Sequence, residues 1–179
     1  MEIRCDATLP FPRPVVFAAY RDKLTELVPF LPNIRGIQVE SRKDEGHVVR
    51  MVNVWHGGGE IPTIARAVIS ENMLSWHDHA TWLEDKWICE WRVEPHAFKE
   101  AVQSKGVNTY FDVGGKTRLE IRGAMTIEGA KLPGVPRLIA GKVGQAVEEF
   151  MVKMISKNLL DVSAGLTRYL EDRARKGTL

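Results

Sequence analysis

A single carboxylate stands out at Asp78. In the run Leu74-Ser75-Trp76-His77-Asp78-His79-Ala80-Thr81-Trp82, the parity that carries Leu74, Trp76, Ala80 and Trp82 also carries Asp78. Successive side chains of a strand point to opposite faces, so this alternation aims the carboxylate into an apolar interior unless a bulge intervenes. There it can orient the polar end of a ligand or shuttle a proton, which makes Asp78 the one catalytic candidate. A bulged or rim position is the structural alternative. His77 and His79 share the other parity, and two imidazoles at that spacing could hold a transition metal. No third ligand is tied to them by local spacing and they point to solvent, so a surface pair and no metal are expected.

Asn158 is the second polar candidate. At 100° per residue, Val147, Met151, Met154, Asn158, Val162, Gly165 and Tyr169 fall near one line of a helix, flanked by Phe150, Ile155 and Leu166. An amide in that stripe must have its hydrogen bonds satisfied or it costs on the order of 1–3 kcal/mol. It can grip a ligand or bond a sheet backbone group. Met151 and Met154 would give the stripe a deformable centre suited to ligands of varied shape; ordinary core packing is the alternative. Gly115-Lys116-Thr117 resembles the end of a phosphate-binding loop, but Tyr110 stands where that motif needs glycine and the segment joins strands. No G-x-S-x-G elbow is present, and neither cysteine has a local catalytic signature.

The surrounding chain reads as one strand, a helical segment, a meander of strands and a long helix. Ile3 to Leu9 is a strand candidate closed by Pro10, Pro12 and Pro14, which pre-set a helix start. An apolar face then runs from Val15 to Leu27, as one helix or two short ones, until Pro29 and Pro32 end it. Strands are expected at 34–42, 47–56, 64–69, 73–83, 87–93, 107–112 and 117–127, separated by turn residues such as Gly114-Gly115. The connections are too short for parallel crossovers, so the sheet is antiparallel. Residues 129–141 read as a loop and 142–175 as a helix of about 50 Å at 1.5 Å per residue. That helix must lie across the whole sheet, bending or packing closely at Gly165.

Parity sorts the strand residues. Trp87, Cys89, Trp91 and Val93 share the inner face, as do Leu119, Ile121, Gly123, Met125 and Ile127, and Val107, Thr109 and Phe111 are expected to join them. In 47–56 both parities are apolar, so either Met51, Asn53 and Trp55 or Val52 and Val54 point inward. Trp55 is a weaker candidate for the wall than Trp76, Trp91 and Phe111.

With 179 residues, 44% hydrophobic and 27% charged, the chain has the size and composition of a single globular domain, 1–179, able to form a core without disulfides or a structural metal. A net charge of +2 in mixed-sign segments is too small for a nucleic-acid footprint. Two cysteines 84 positions apart, a charged N-terminus and no long apolar stretch imply a cytoplasmic protein with no transmembrane segment.

The order of elements, with Pro12-Arg13-Pro14-Val15-Val16-Phe17, Leu74-Ser75-Trp76, Trp87-Ile88-Cys89-Glu90-Trp91 and Ile155-Ser156-Lys157-Asn158-Leu159 followed by Gly165-Leu166 and Tyr169-Leu170, resembles the START-like superfamily (SRPBCC) of Bet v 1-type allergens, lipid-transfer domains and polyketide cyclases. The resemblance spans nearly the whole chain. It implies an α+β helix-grip fold: a curved antiparallel sheet wrapped around a long C-terminal helix, with a short N-terminal helical hairpin. It further implies that a lipid or other small hydrophobic molecule is held between sheet and helix, for transport or sensing, with no cofactor. Trp55, Trp76, Trp91, Phe111, Met151 and Met154 would then supply wall, and Asp78 and Asn158 orientation. The alternatives are a polyketide cyclase/aromatase-like or dehydratase-like enzyme using Asp78, and a homodimeric interaction protein without a ligand, for which Leu160 on the polar side of the helix offers a contact.

Overall fold

The computed structural model describes residues 1–58, 70, 73–131, 138 and 140–179, save for the side chains at 129, 140, 143, 146, 147, 150, 151, 153 and 154. β1 (Glu2–Leu9) leads into α1 (Arg13–Asp22), which has proline in its first turn, and a 3-10 helix (Leu24–Phe30) completes the hairpin. The meander follows as β2 (Ile34–Glu45), β3 (Val48–Gly57), β4 (Ser75–Leu83), β5 (Ile88–Pro95), β6 (Val102–Val113) and β7 (Lys116–Ile127). A 3-10 turn (Gly129–Lys131) precedes α2 (Ala140–Arg175). The strand expected at 64–69 lies outside the described residues.

The described strands form one sheet in the order β1-β7-β6-β5-β4-β3-β2, with every neighbour antiparallel. Short turns join β2 to β3, β4 to β5 and β6 to β7, so each of these pairs folds back on itself as a hairpin. Gly114 and Gly115 at the β6–β7 turn have φ of +60° and +78°, the left-handed pair that suits a two-residue hairpin loop. Trp87 is itself left-handed, at φ 57°, so it closes the β4–β5 turn and β5 starts one residue later than expected. Its indole packs edge-on against Phe17, with centroids 5.3 Å apart, and lies under the Arg13 guanidinium at 4.4 Å, contacts that hold a conformation disfavoured for a bulky residue.

α2 is 36 residues long, about 54 Å at 1.5 Å per residue, and it packs against β1, β7, α1 and the 3-10 helix. Leu166, Tyr169 and Leu170 are buried on it, while Leu160 is exposed. At the hairpin end Phe17 meets Trp82 and Tyr110 edge-to-face, at 5.0 and 5.1 Å, in a fully buried aromatic cluster. The helix-grip arrangement expected from the sequence is therefore present.

Close packing at Gly165 has a specific cause. A Cβ there would fall 2.6 Å from Leu31 Cδ2 and 2.9 Å from the Phe30 carbonyl oxygen. That carbonyl accepts a bond from Arg168 at 2.6 Å, and one turn away the Tyr169 hydroxyl donates to Glu26 at 2.7 Å. Glycine thus lets α2 dock on the hairpin. Gly165→Leu is expected to lower stability by about 3 kcal/mol or more in a denaturant titration, because backbone must move to admit the side chain.

Candidate functional site

The inner face of the sheet is a grid of cross-strand rows, and α2 closes it to leave a cavity of about 190 Å³. One row runs Asn53–Asp78–Val93–Ser104–Met125 over β3 to β7. The next runs Met51–Ala80–Trp91–Gly106–Gly123. Trp55 and Trp76 face each other one step further out, with their rings stacked 6.0 Å apart and 11° from parallel. From α2, Ile155, Asn158, Leu159 and Val162 cover the grid.

Mid-strand glycines make room for an indole. A Cβ at Gly106 would collide with the Trp91 ring and with the backbone of β7, and one at Gly123 would lie 2.8 Å from Trp91 Cη2. The Trp91 ring therefore lies over two strands that carry no side chain there. Its Nε1–H donates to Asn108 Oδ1 at 2.9 Å, which satisfies the polar edge of an otherwise apolar group.

Asp78 sits on the cavity wall, with no bulge in the β3–β4 or β4–β5 register beside it. Asn53 Nδ2 donates to Asp78 Oδ2 at 3.3 Å, and among the described residues no other hydrogen bond of good geometry reaches the carboxylate. Burial pushes the Asp78 carboxyl up to about 6, against the opposing pull of the Asn53 amide and the nearby Trp55 indole N–H. Desolvation also raises the Cys89 thiol well above its ordinary value, with the Asp78 charge adding to it, so this cysteine is an inert wall group. Asn53 Oδ1, Ser104 Oγ, Trp55 Nε1 and Trp82 Nε1 are buried without a hydrogen-bond partner among the described residues, and all four side chains line the cavity.

Trp55, Trp76, Asp78, Trp91 and Asn158 are thus brought to one cavity. Asn158 Oδ1 also accepts from Asn33 Nδ2 at 3.4 Å, and Asn33 reaches Asp161 at 3.2 Å, so this amide ties α2 to the start of β2. The side chains of Met151 and Met154 lie outside the described residues. Phe111 is a correction. The inward parity of β6 is Val102, Ser104, Gly106, Asn108 and Tyr110, whereas Phe111 lies on the outer face with the Arg118 guanidinium 4.6 Å above its ring. Val107 and Thr109 share that outer parity. The reason is local: Trp91 requires a glycine and an amide acceptor on β6, so the inner row looks polar in sequence, while the outer Phe111 is sheltered by a cation.

Asn53, Ser104 and Asn108 are site residues that the sequence does not single out. Polar side chains on the buried parity are their only signal, and in β3 only the structure decides that parity, with Val49, Met51, Asn53 and Trp55 as the buried set. On the opposite face, His77 Nδ1 lies 3.0 Å from His96 Nε2, and Ser75 Oγ lies 2.8 Å from His96 Nδ1. His77 also faces Glu40 at 3.4 Å, and His79 faces Glu94 at 3.8 Å. Among the described residues no group of three or more His, Cys, Asp or Glu side chains is arranged to hold a metal ion. No described helix is long and apolar enough to cross a membrane.

No family model matches the sequence, and no curated protein matches it. Solved structures do. The Zhui aromatase/cyclase from Streptomyces sp. R1128 superposes with a TM-score of 0.69 at 14% identity, over 97% of this chain and 95% of its own. TTHA0849 from Thermus thermophilus gives 0.65 at 15%, over 94% and 99%. Ara h 8.0201 gives 0.54 at 12%, over 96% and 98%. At these identities the likeness is one of architecture, and together with the strand order and the sheet-covering helix it gives this chain a Bet v 1-like helix-grip fold.

Proposed function

We propose that the protein binds a lipid or other small hydrophobic molecule in the cavity between the sheet and α2, in the cytoplasm. The observation that carries this reading is the cavity itself: about 190 Å³ walled by Trp55, Trp76, Trp91, Met51 and Val162. An apolar cavity of roughly 150 Å³ is enough to take up benzene, and removing apolar surface from water contributes about 25 cal/mol per Å². The fold shared with an aromatase/cyclase and with Ara h 8 supports the reading at the level of architecture. Two free, buried cysteines fit a reducing compartment.

An ANS-type dye should change tryptophan emission saturably in the parent protein. Ala80 lies on the cavity wall between Met51 and Trp91, so Ala80→Leu should lower dye capacity severalfold while the far-UV spectrum persists, at an overpacking cost of about 1–3 kcal/mol. Unchanged binding in that variant would place the dye elsewhere and remove the basis of the reading.

One observation favours a second reading, that of a cyclase- or dehydratase-like enzyme: Asp78 lies in an apolar cavity with its carboxyl pushed up to about 6, within range of proton transfer near neutrality. A substrate whose turnover disappears in Asp78→Asn while its affinity survives would establish catalysis.

A further inference from the structure

We propose that the cavity selects hydrophobic molecules that carry a neutral hydroxyl and rejects carboxylate anions, through the polar corner formed by Asp78, Asn53 and Trp55; this rests on the cavity-binding reading above. Asp78 and Asn53 are register partners on adjacent strands, and Trp55 follows Asn53 by one inward position on β3. One bond, from Asn53 Nδ2 to Asp78 Oδ2, fixes the amide so that its oxygen is the end left over. Asn53 is only 2% exposed and that oxygen has no donor among the described residues; the Trp55 N–H, also buried, lies near Asp78 but makes no hydrogen bond of good geometry among them. On this wall two acceptors and one donor therefore stand without full partners.

A hydroxyl matches that set, because it donates one bond and accepts others. Its proton can go to the Asp78 carboxylate or to Asn53 Oδ1, while its lone pairs receive the Trp55 N–H. Ser104, in the same cross-strand row as Asn53 and Asp78, adds a further unpartnered hydroxyl to the described wall. A carboxylate ligand offers only acceptors and a negative charge. It would meet a like charge in a low-dielectric cavity. The one cation lining the described cavity is Arg21, and both its arms are occupied, by Asp22 at 2.7 Å and by Glu84. The described wall therefore presents no free positive charge to offset the repulsion from Asp78.

The test uses three size-matched probes, 2-naphthol, 2-methoxynaphthalene and 2-naphthoate, titrated calorimetrically at about pH 7.5 into the parent protein, Asp78→Asn and Asp78→Leu. In the parent, naphthol should bind at least about tenfold more tightly than naphthoate, the scale of one hydrogen bond to a charged group and its loss. Asp78→Asn removes the charge but keeps an acceptor, so it should bring naphthoate to within about threefold of naphthol. Asp78→Leu removes both, and the naphthol-to-ether affinity ratio should fall about tenfold relative to the parent, a comparison in which differences in probe hydrophobicity cancel. Equal binding of naphthol and naphthoate by the parent, or ratios unmoved by either variant, would overturn the selectivity while leaving the cavity reading intact. Failure of all three probes to bind the folded parent protein would overturn the cavity reading and this inference together.

Discussion

Gly106→Val should cost more than about 4 kcal/mol and leave little native protein at ordinary temperatures. The first added carbon already collides with the Trp91 ring, with the Arg122 carbonyl oxygen and with Gly123 Cα. Two of those three are backbone atoms of the neighbouring strand, so no rotamer change relieves the contact. Strand β6 would have to leave β7, and Trp91 would lose the seat from which it bonds Asn108. Urea denaturation of Gly106→Val and of Gly106→Ala, each alone and combined with Trp91→Leu, separates the parts. Trp91→Leu should recover part of the loss in the alanine variant and little in the valine variant. A Gly106→Val protein as stable as the parent would mean that the indole does not lie across β6.

Asp78→Asn should raise stability at neutral pH by about 1 to 3 kcal/mol, an unusual direction for a change in a candidate site. Burial lifts the folded-state carboxyl from 3.8 to about 6, so between those values the folded chain binds more protons at this position than the unfolded chain does. Stability contributed by the protonated group is complete below about 4, declines as pH rises toward 6, and is absent at 7, where a charge must be held against its desolvation. Tyr20 and Cys89, which face the same charge, are both held neutral there by burial. The asparagine variant cannot ionise and still offers Asn53 a carbonyl oxygen. Melting curves from about pH 4 to about pH 7.5 should therefore show the parent losing stability relative to Asp78→Asn through that window. Parallel curves would mean that water or a counter-charge already relieves the carboxylate. Such a trade, stability given up at a polar group inside an apolar cavity, is common at sites kept for function.

Which parts of this arrangement can be read from the residues follows from how each signal is generated. Antiparallel pairing is readable because turn residues such as Gly114-Gly115 leave no room for crossovers, and α2 because no proline interrupts its period. Asp78 is placed inward by the four apolar partners that share its parity. Phe111 misleads because aromatic and β-branched residues ordinarily mark the buried face of a strand. On β6 that face must instead carry Gly106 and Asn108 to serve Trp91 on another strand, a requirement that exists only once β5 and β6 are paired. Asn53 is hidden for a related reason. Val52 and Val54 flank it with the stronger apolar signal, and only pairing with Asp78 identifies its side as the inner one. Gly165 is legible as a place of close approach, but what it approaches, the Phe30 carbonyl, belongs to a segment far away in sequence.

The proposed binding of a hydrophobic molecule between the sheet and α2 can be observed directly as added mass. Native mass spectrometry with a neutral hydrophobic probe such as 2-naphthol tests it most directly, using the parent protein beside an Ala80→Trp variant shown by far-UV spectra to keep its fold. A saturable one-to-one adduct on the parent, and its loss from the filled variant, is the expected result. Bare chain alone at every probe concentration, or the same adduct on both proteins, would contradict it.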